Sequence, residues 1–214
     1  MSRIIKSKDK ESRKRGISID GREIKRNTIP GQHGMSGLRR SSSDYARQLG
    51  DAKIFRHFYY MTGSQMRIYL KKSQKMQGNV ADNLTRMLES RLATVVYRAG
   101  FAKTIFSARQ LVSHGHFLIN GKKANIPSII LQDGDIITLK DSSKNLSIIS
   151  DSIAMVFGSD EKKSRSVPSN LIIDQENRKI TVDRLPTSAS DVTYPFPTGN
   201  LGRGSISGVI GYYS

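Results

Sequence analysis

In the stretch "VVYRAGFAKTIFSARQLVSHGHFLINGKKA", Val95 to Ala124, the residues Arg109, Gln110 and Ser113 follow closely on Thr104. A guanidinium can fork onto two oxygens of one phosphate. An amide and a hydroxyl at this spacing can reach a phosphate or a ribose 2′-OH. Thr104 is suited to cap a helix, and the first amides of a helix attract anions. This is chemistry for holding a ribose-phosphate chain, and it asks what elements position it.

The elements follow from periodicity. Ile105, Ala108, Leu111 and Val112 fall on one side of a short helix that starts at the Thr104 cap and ends at Gly115, which leaves Arg109, Gln110 and Ser113 on other faces. Beyond it, "HFLINGKKANI" alternates as strands do, and Asn120-Gly121 suits a two-residue type I′ turn, so a hairpin is expected. "LQDGDIITLK" supplies another turn and strand. Upstream, "GNVADNLTRMLESRLATVVYRAG" places Ala81, Leu84, Leu88, Leu92, Val95 and Val96 on one stripe, with Asn79 as N-cap and Gly100 as terminator. The spacing predicts one continuous helix there. Before that, Ile54, Phe58 and Met61, then Met66 and Leu70, predict two or three helices from Asp44 to Gly78, interrupted at Gly63. Phe55, Phe58, Tyr59 and Tyr60 read as helical core in preference to a base-stacking platform.

Composition agrees with a polyanionic partner. The 214 residues carry 35 Lys and Arg against 18 Asp and Glu, a net charge of +17. Residues 1–120 hold +16 of it, so a phosphate-binding surface belongs mainly to that part. No apolar run approaches the roughly 18 residues of a membrane span, and "MSRIIKSKDKESRKRG" lacks the apolar centre of a secretory signal. With no cysteine, disulfides, thiolate metal sites and a cysteine nucleophile are all excluded.

Other candidate chemistry is weaker. Among His33, His57, His114 and His116 only the last two are close in sequence, and no acidic residue accompanies them, which favours a turn or an RNA contact over a metal. "GNLGRGSISG" has glycines but neither the preceding strand nor the Lys-Ser/Thr pair of a phosphate loop. No Ser/His/Asp arrangement stands out. In the tail, a helix near Ser150 to Phe157 and strands at "NLIID" and "KITVD" are expected, then a loop-like "YPFPTGNLGRGSISG" and a short apolar ending, "VIGYYS".

Residues 1–43 mix Lys and Arg with Gly, Ser and Pro without a sustained period, and read as an extended basic arm that orders on its partner. Within it, "PGQHG" (Pro30, Gly31, Gln32, His33, Gly34) has the residues of a tight turn. This motif, "GNVADNLTRMLESRLATVVYRAGF" and "ARQLVSHGHFLINGKKANIPS" occur in the order and at the spacing of a known family. The chain resembles the S-four family of small-subunit ribosomal proteins in its bacterial or organellar form, over roughly residues 30 to 140.

The resemblance implies an α+β protein: a basic extended arm (1–43), a small helical domain (44–90, completed by 150–214), and a compact module of two helices plus a β-hairpin and strand (91–145) that binds RNA, with the C-terminal segment packing back. It implies a structural constituent of the small ribosomal subunit and no enzyme or cofactor. Such a protein binds the 5′ domain of 16S-type rRNA at a multi-helix junction, nucleates assembly of the subunit body, and lies near the mRNA entry path with an effect on accuracy. Its neighbours would be the fifth and third small-subunit proteins, with mRNA as a further contact and no membrane. The setting is a ribosome of the bacterial cytoplasm, with an organellar ribosome as the alternative.

It would place Phe101, Thr104, Ala108, Arg109, Gln110, Ser113, His114 and Lys122 on or near the RNA, with Arg39, Arg40, Tyr45, Arg47 and Gln48 as a second group and the Pro30–Gly34 turn close by. The sequence departs from the family in three places. It lacks the cysteine cluster by which some members bind zinc, Ala93 stands where an acidic residue is usual, and Asn170 stands where a tryptophan is usual. Two alternatives share the module. An RNA-modifying enzyme would need a larger catalytic domain than the residues after Lys140 supply, and a stress RNA chaperone would leave the "PGQHG" arm without a purpose.

Overall fold

A computed structural model gives the fold and describes residues 9–19, 24, 26, 28–32, 43–157, 167–194 and 205–214. The chain divides into two compact units, residues 1–81 with 193–214, and residues 82–192. Among the described residues no helix is long and apolar enough to cross a membrane.

The first unit is helical. Its first element, α1 (Lys10–Arg15), corrects the expectation of an extended arm: this part of the arm folds locally, with Ser12 and Ile19 buried and the Ile19 amide donating to the Ser12 hydroxyl at 3.4 Å. Arg13 reaches forward to the carbonyl and hydroxyl of Thr28, both at 3.1 Å. Helices α2 (Asp44–Phe58) and α3 (Gly63–Gln74) follow, and Ser43 caps the first by accepting from the Ala46 amide at 3.3 Å. A capping box starts α3: Thr62 accepts from the Gln65 amide, and the Gln65 side chain accepts from the Thr62 amide. Phe55, Phe58 and Tyr59 are buried and pack edge-on around Tyr194, whose hydroxyl lies 3.0 Å from that of Tyr59.

The second unit contains most of α4 (Val80–Glu89), α5 (Leu92–Arg98), α6 (Ile105–Ser113) and α7 (Ser147–Phe157), together with one antiparallel sheet. The strands are β1 (Phe117–Ile119), β2 (Lys122–Ala124), β3 (Ile136–Leu139), β4 (Leu171–Asp174) and β5 (Lys179–Val182), in the order β2-β1-β3-β5-β4. Asn120 and Gly121 take φ of 49° and 78°, the positive values that a type I′ turn requires, and fix the pairs Ile119–Lys122, Leu118–Lys123 and Phe117–Ala124. Phe117, Ala124, Ile137, Leu139, Ile180 and Val182 alternate into the core face.

The continuous helix expected over residues 79–100 is two helices. Arg91 is extended (φ −71°, ψ 135°) and bridges to Ile130. The amides of Leu92 and Ala93 donate to the carbonyls of Ile129 and Pro127 at 2.9 and 3.2 Å, and the Leu131 amide donates to Ser90 at 2.8 Å. Backbone groups that a helix would pair internally are satisfied by a neighbouring loop. The apolar stripe continues through the break, so its period could not reveal it.

The units also differ from the expected divisions. Residues 193–214, with the helix α8 (Ile206–Tyr213), join the helical unit, whereas α7, β4 and β5 belong with the sheet. The start of α8 also replaces the end of the stretch read as loop-like, and the rest of that stretch lies largely outside the described residues.

Across the break, Glu89 and Arg98 form a buried, two-pronged ion pair, with Nε and Nη2 donating at 3.0 and 2.8 Å. Removing one partner leaves a charge without its counter-charge in the interior, which costs about 3–5 kcal/mol. Glu89→Ala should therefore lower the denaturant midpoint of purified protein strongly, while Glu89→Gln, which keeps an acceptor oxygen, loses less.

Candidate RNA interface

The second unit presents α6 and the β1–β2 hairpin together. Thr104 caps α6 as expected, accepting from the Ser107 amide at 3.1 Å. Ile105, Ala108, Leu111 and Val112 are buried, which turns the opposite side outward: Gln110 and His114 are exposed, and Thr104, Arg109 and Ser113 are half-buried. Phe106 on the same helix is 40 % exposed. Lys122 is exposed on β2.

Two residues of the expected set do not present side chains. Phe101 is 1 % exposed, with its ring 6.5 Å from that of Phe117, and Ala108 is 0 % exposed. Both belong to the core beneath the surface, and a ring or methyl buried there cannot touch a partner.

The end of α6 is a Schellman turn. The Gly115 amide donates to Val112 at 2.8 Å and the His116 amide donates to Leu111 at 3.3 Å, with Gly115 at φ 75°. The turn reverses the chain into β1 and leaves His114 and His116 on either side of the glycine, their rings 6.0 Å apart. Lys123 lies over this glycine: a Cβ built there would meet Lys123 Cε at 2.6 Å and Nζ at 3.5 Å. Across the ladder, the Lys140 amide donates to the His116 carbonyl at 2.9 Å, and His116 Nδ1 lies 2.9 Å from the Ser143 hydroxyl. Burial, and then the positive charges of His114 and Lys140, hold the His116 pKa below its usual 6.5.

Lys123, His116 and Lys140 are absent from the expected set. Lys123 was within reach of the sequence, because the Asn-Gly turn pairs it with Leu118 and so sets it on the face that His116 shares. Lys140 required the pairing of β1 with β3, which no local signal specifies.

The second expected group begins α2 in the first unit. Tyr45 is 62 % exposed, with its ring 5.9 Å from that of Tyr212, and Arg47 forms an ion pair with Asp44. Gln48 is committed to packing: a Cβ at Gly211 of α8 would meet its Nε2 at 3.0 Å. Pro30, Gly31 and Gln32 form a bend with Gly31 at φ 116°. Arg39, Arg40, His33 and Gly34 lie outside the described residues.

Comparison with known proteins decides the family. The family model for the ribosomal protein S4/S9 N-terminal domain matches residues 3–89, and that for the S4 domain matches residues 90–137. The chain is 40 % identical over 201 residues to small ribosomal subunit protein uS4 of Rickettsia bellii, covering 92 % of this chain and 94 % of the relative. It is 46 % identical over 155 residues to the same protein of Brevibacillus brevis (72 % and 77 %), and 41 % identical over 207 residues to that of Orientia tsutsugamushi (94 % and 97 %).

The chain belongs to the uS4 family of ribosomal proteins. Membership makes it a structural constituent of the ribosome and not an enzyme, and the α+β architecture is that of the family. The boundary between the two family models, at residues 89 and 90, falls at the break between α4 and α5.

Gly115→Ala is expected to destabilise the module by about 1–3 kcal/mol through its positive φ, and also to push Lys123 aside. Thermal melts should show the loss, and the amide spectrum should show changes centred on residues 114–124.

Proposed function

We propose that the protein is a primary binder of small-subunit, 16S-type rRNA, gripping a multi-helix junction of the 5′ domain through the outer side of α6 and the β1–β2 hairpin. In this reading Arg109 forks onto phosphate, Gln110 and Ser113 reach phosphate or 2′-OH, and the amides at the Thr104 cap face a further anion. Arg39, Arg40, Tyr45 and Arg47 form a second contact, Gln48 supports that surface by packing, and the Pro30–Gly34 turn lies close to the RNA. Phe101 and Ala108 act from beneath the surface.

Binding early to the junction would nucleate assembly of the subunit body. In the finished subunit the protein would lie near the mRNA entry path, beside the fifth and third small-subunit proteins, and influence translational accuracy. The bacterial relatives favour a ribosome of the bacterial cytoplasm, with an organellar ribosome as the alternative. The domain scheme follows function: a basic arm, a helical domain closed by the C-terminus, and an RNA-binding module.

The observation that carries this reading is the outward face of α6, where Gln110 and His114 are exposed beside Arg109 on a helix whose other side is wholly apolar. Fixed donors on a rigid helix suit recognition of folded RNA shape. A high density of such contacts also makes affinity depend on salt, by about 0.7–0.9 logarithmic units per neutralised phosphate for each tenfold rise in concentration.

The test is binding of purified protein to a 5′-domain transcript of small-subunit rRNA, with total tRNA as competitor, at low and moderate salt. Binding that survives the competitor is expected, and binding indistinguishable from that to tRNA would remove the reading. Arg109→Ala should weaken binding and reduce the salt slope by about 1, whereas Gln110→Ala should weaken it with the slope unchanged.

A further inference from the structure

The Schellman turn that ends α6 gathers four basic side chains from three separate segments. His114 and His116 flank Gly115, Lys123 of β2 lies across that glycine, and Lys140 follows β3 directly opposite His116. Among the described residues none of the four forms an ion pair with a carboxylate. The nearest acid in sequence, Asp141, is engaged with Lys144 at 2.7 Å. Burial, then His114 and Lys140, disfavour the protonated form of His116, and an anion that enters beside them removes the electrostatic part of that cost.

We propose that His114, His116, Lys123 and Lys140 form a proton-linked phosphate site, at which an RNA phosphodiester binds and His116 takes up a proton as it does so. The proposal rests on the RNA reading above and deepens it, since Lys123 and Lys140 lie outside the residues that the sequence singled out.

Four groups face His116. His114 stands at the end of α6, Lys123 comes from β2 over the intervening glycine, Lys140 lies across the ladder, and Ser143 comes from the turn after β3. In the free protein, burial, then His114 and Lys140, favour the neutral imidazole. A phosphate oxygen beside it reverses the electrostatic part, because an adjacent negative charge favours the imidazolium.

The Ser143 hydroxyl makes this change possible without rearrangement. A hydroxyl can donate to a bare ring nitrogen or accept from an N–H, so His116 keeps its 2.9 Å partner in either protonation state. The ring stays in place, and its Nε2–H remains available to the phosphate. The balance is simple: one proton passes from solvent to the imidazole, and no bond of the RNA changes.

The sign follows from the two pKa values of His116, depressed when free and raised when bound. Between them, each unit fall in pH should tighten binding by up to about tenfold, and outside that window the affinity is flat. The same depressed value means that the free fold loses stability as pH falls below the ordinary histidine range, so binding should be read where the free protein is fully folded.

The experiment uses the 214-residue chain and the 5′-domain transcript, at constant ionic strength, with dissociation constants measured from pH 6 to 8. For the wild type, affinity should rise as pH falls, and the His116 ring carbon resonances should titrate at higher pH in the complex than in the free protein. His116→Gln should bind with a reduced or absent pH slope. Lys123→Gln should lose affinity across the whole range and reduce the salt slope by about 1. Tight binding that does not vary with pH, or an unchanged slope in His116→Gln, would overturn the proton linkage and leave the RNA reading standing. An unaltered salt slope in Lys123→Gln would overturn the phosphate site. Failure of the transcript to outcompete tRNA at any pH would remove the RNA reading itself, and this inference with it.

Discussion

The interruption of the helical backbone at Ser90 and Arg91 is the constraint on which the RNA-facing unit depends. Two helices meet there, and the amides of Leu92 and Ala93 leave the helical pattern for the carbonyls of Ile129 and Pro127. A break in a buried helix exposes backbone groups that must find partners, and the loop before β3 supplies them. Glu89 and Arg98 then hold the two pieces together with a charge pair shielded from water. A surface pair would tolerate the loss of one member. This one ties the orientation of α5, and of α6 packed on it, to a specific geometry.

From that junction the rest of the unit follows in sequence. The turn at Gly100 sends the chain from α5 to α6 by the same pair of hydrogen bonds that Gly115 uses to send it from α6 to β1. Phe101 and Phe117, each just past one of these turns, meet inside the core. Two similar reversals and one aromatic contact therefore fix how α6 lies against the hairpin. A side chain on α6 and one on β2 are thereby held at a set separation, which is what recognition of a folded RNA demands.

Much of this was legible in the sequence because the signals are local. The Thr104 cap, the inward phase of Ile105, Ala108, Leu111 and Val112, and the Asn120-Gly121 turn each depend on a few adjacent residues, and each is present in the structure. The same phase already put Ala108 inside, although the family resemblance put it near RNA. What could not be read has a common cause. The break at Arg91 lies within an uninterrupted apolar stripe, and it is visible only through a loop more than thirty residues later. The strands β4 and β5 were recognisable singly, but their addition to β3 is a long-range pairing, as is the approach of Lys140 and Ser143 to His116. The local helix in the arm leaves no sequence signal because its 6 residues are too few to show a period.

The charge distribution completes the argument. Most of the excess lies in residues 1–120, yet Lys123 and Lys140 stand in residues 121–160, whose net charge is −1. Three of its acids are drawn elsewhere: Asp133 accepts from the Leu185 amide, Asp135 from Asn120 and the Gln132 amide, and Asp141 pairs with Lys144. Fold, and not composition, therefore decides which side chains are left to meet a polyanion. A segmental charge count locates the regions that attract RNA at long range, where the field of the whole chain acts. It cannot locate the contacts, because a phosphate at van der Waals distance responds to the few groups around it, and here those groups are collected by a glycine turn, a hairpin and a single ladder position.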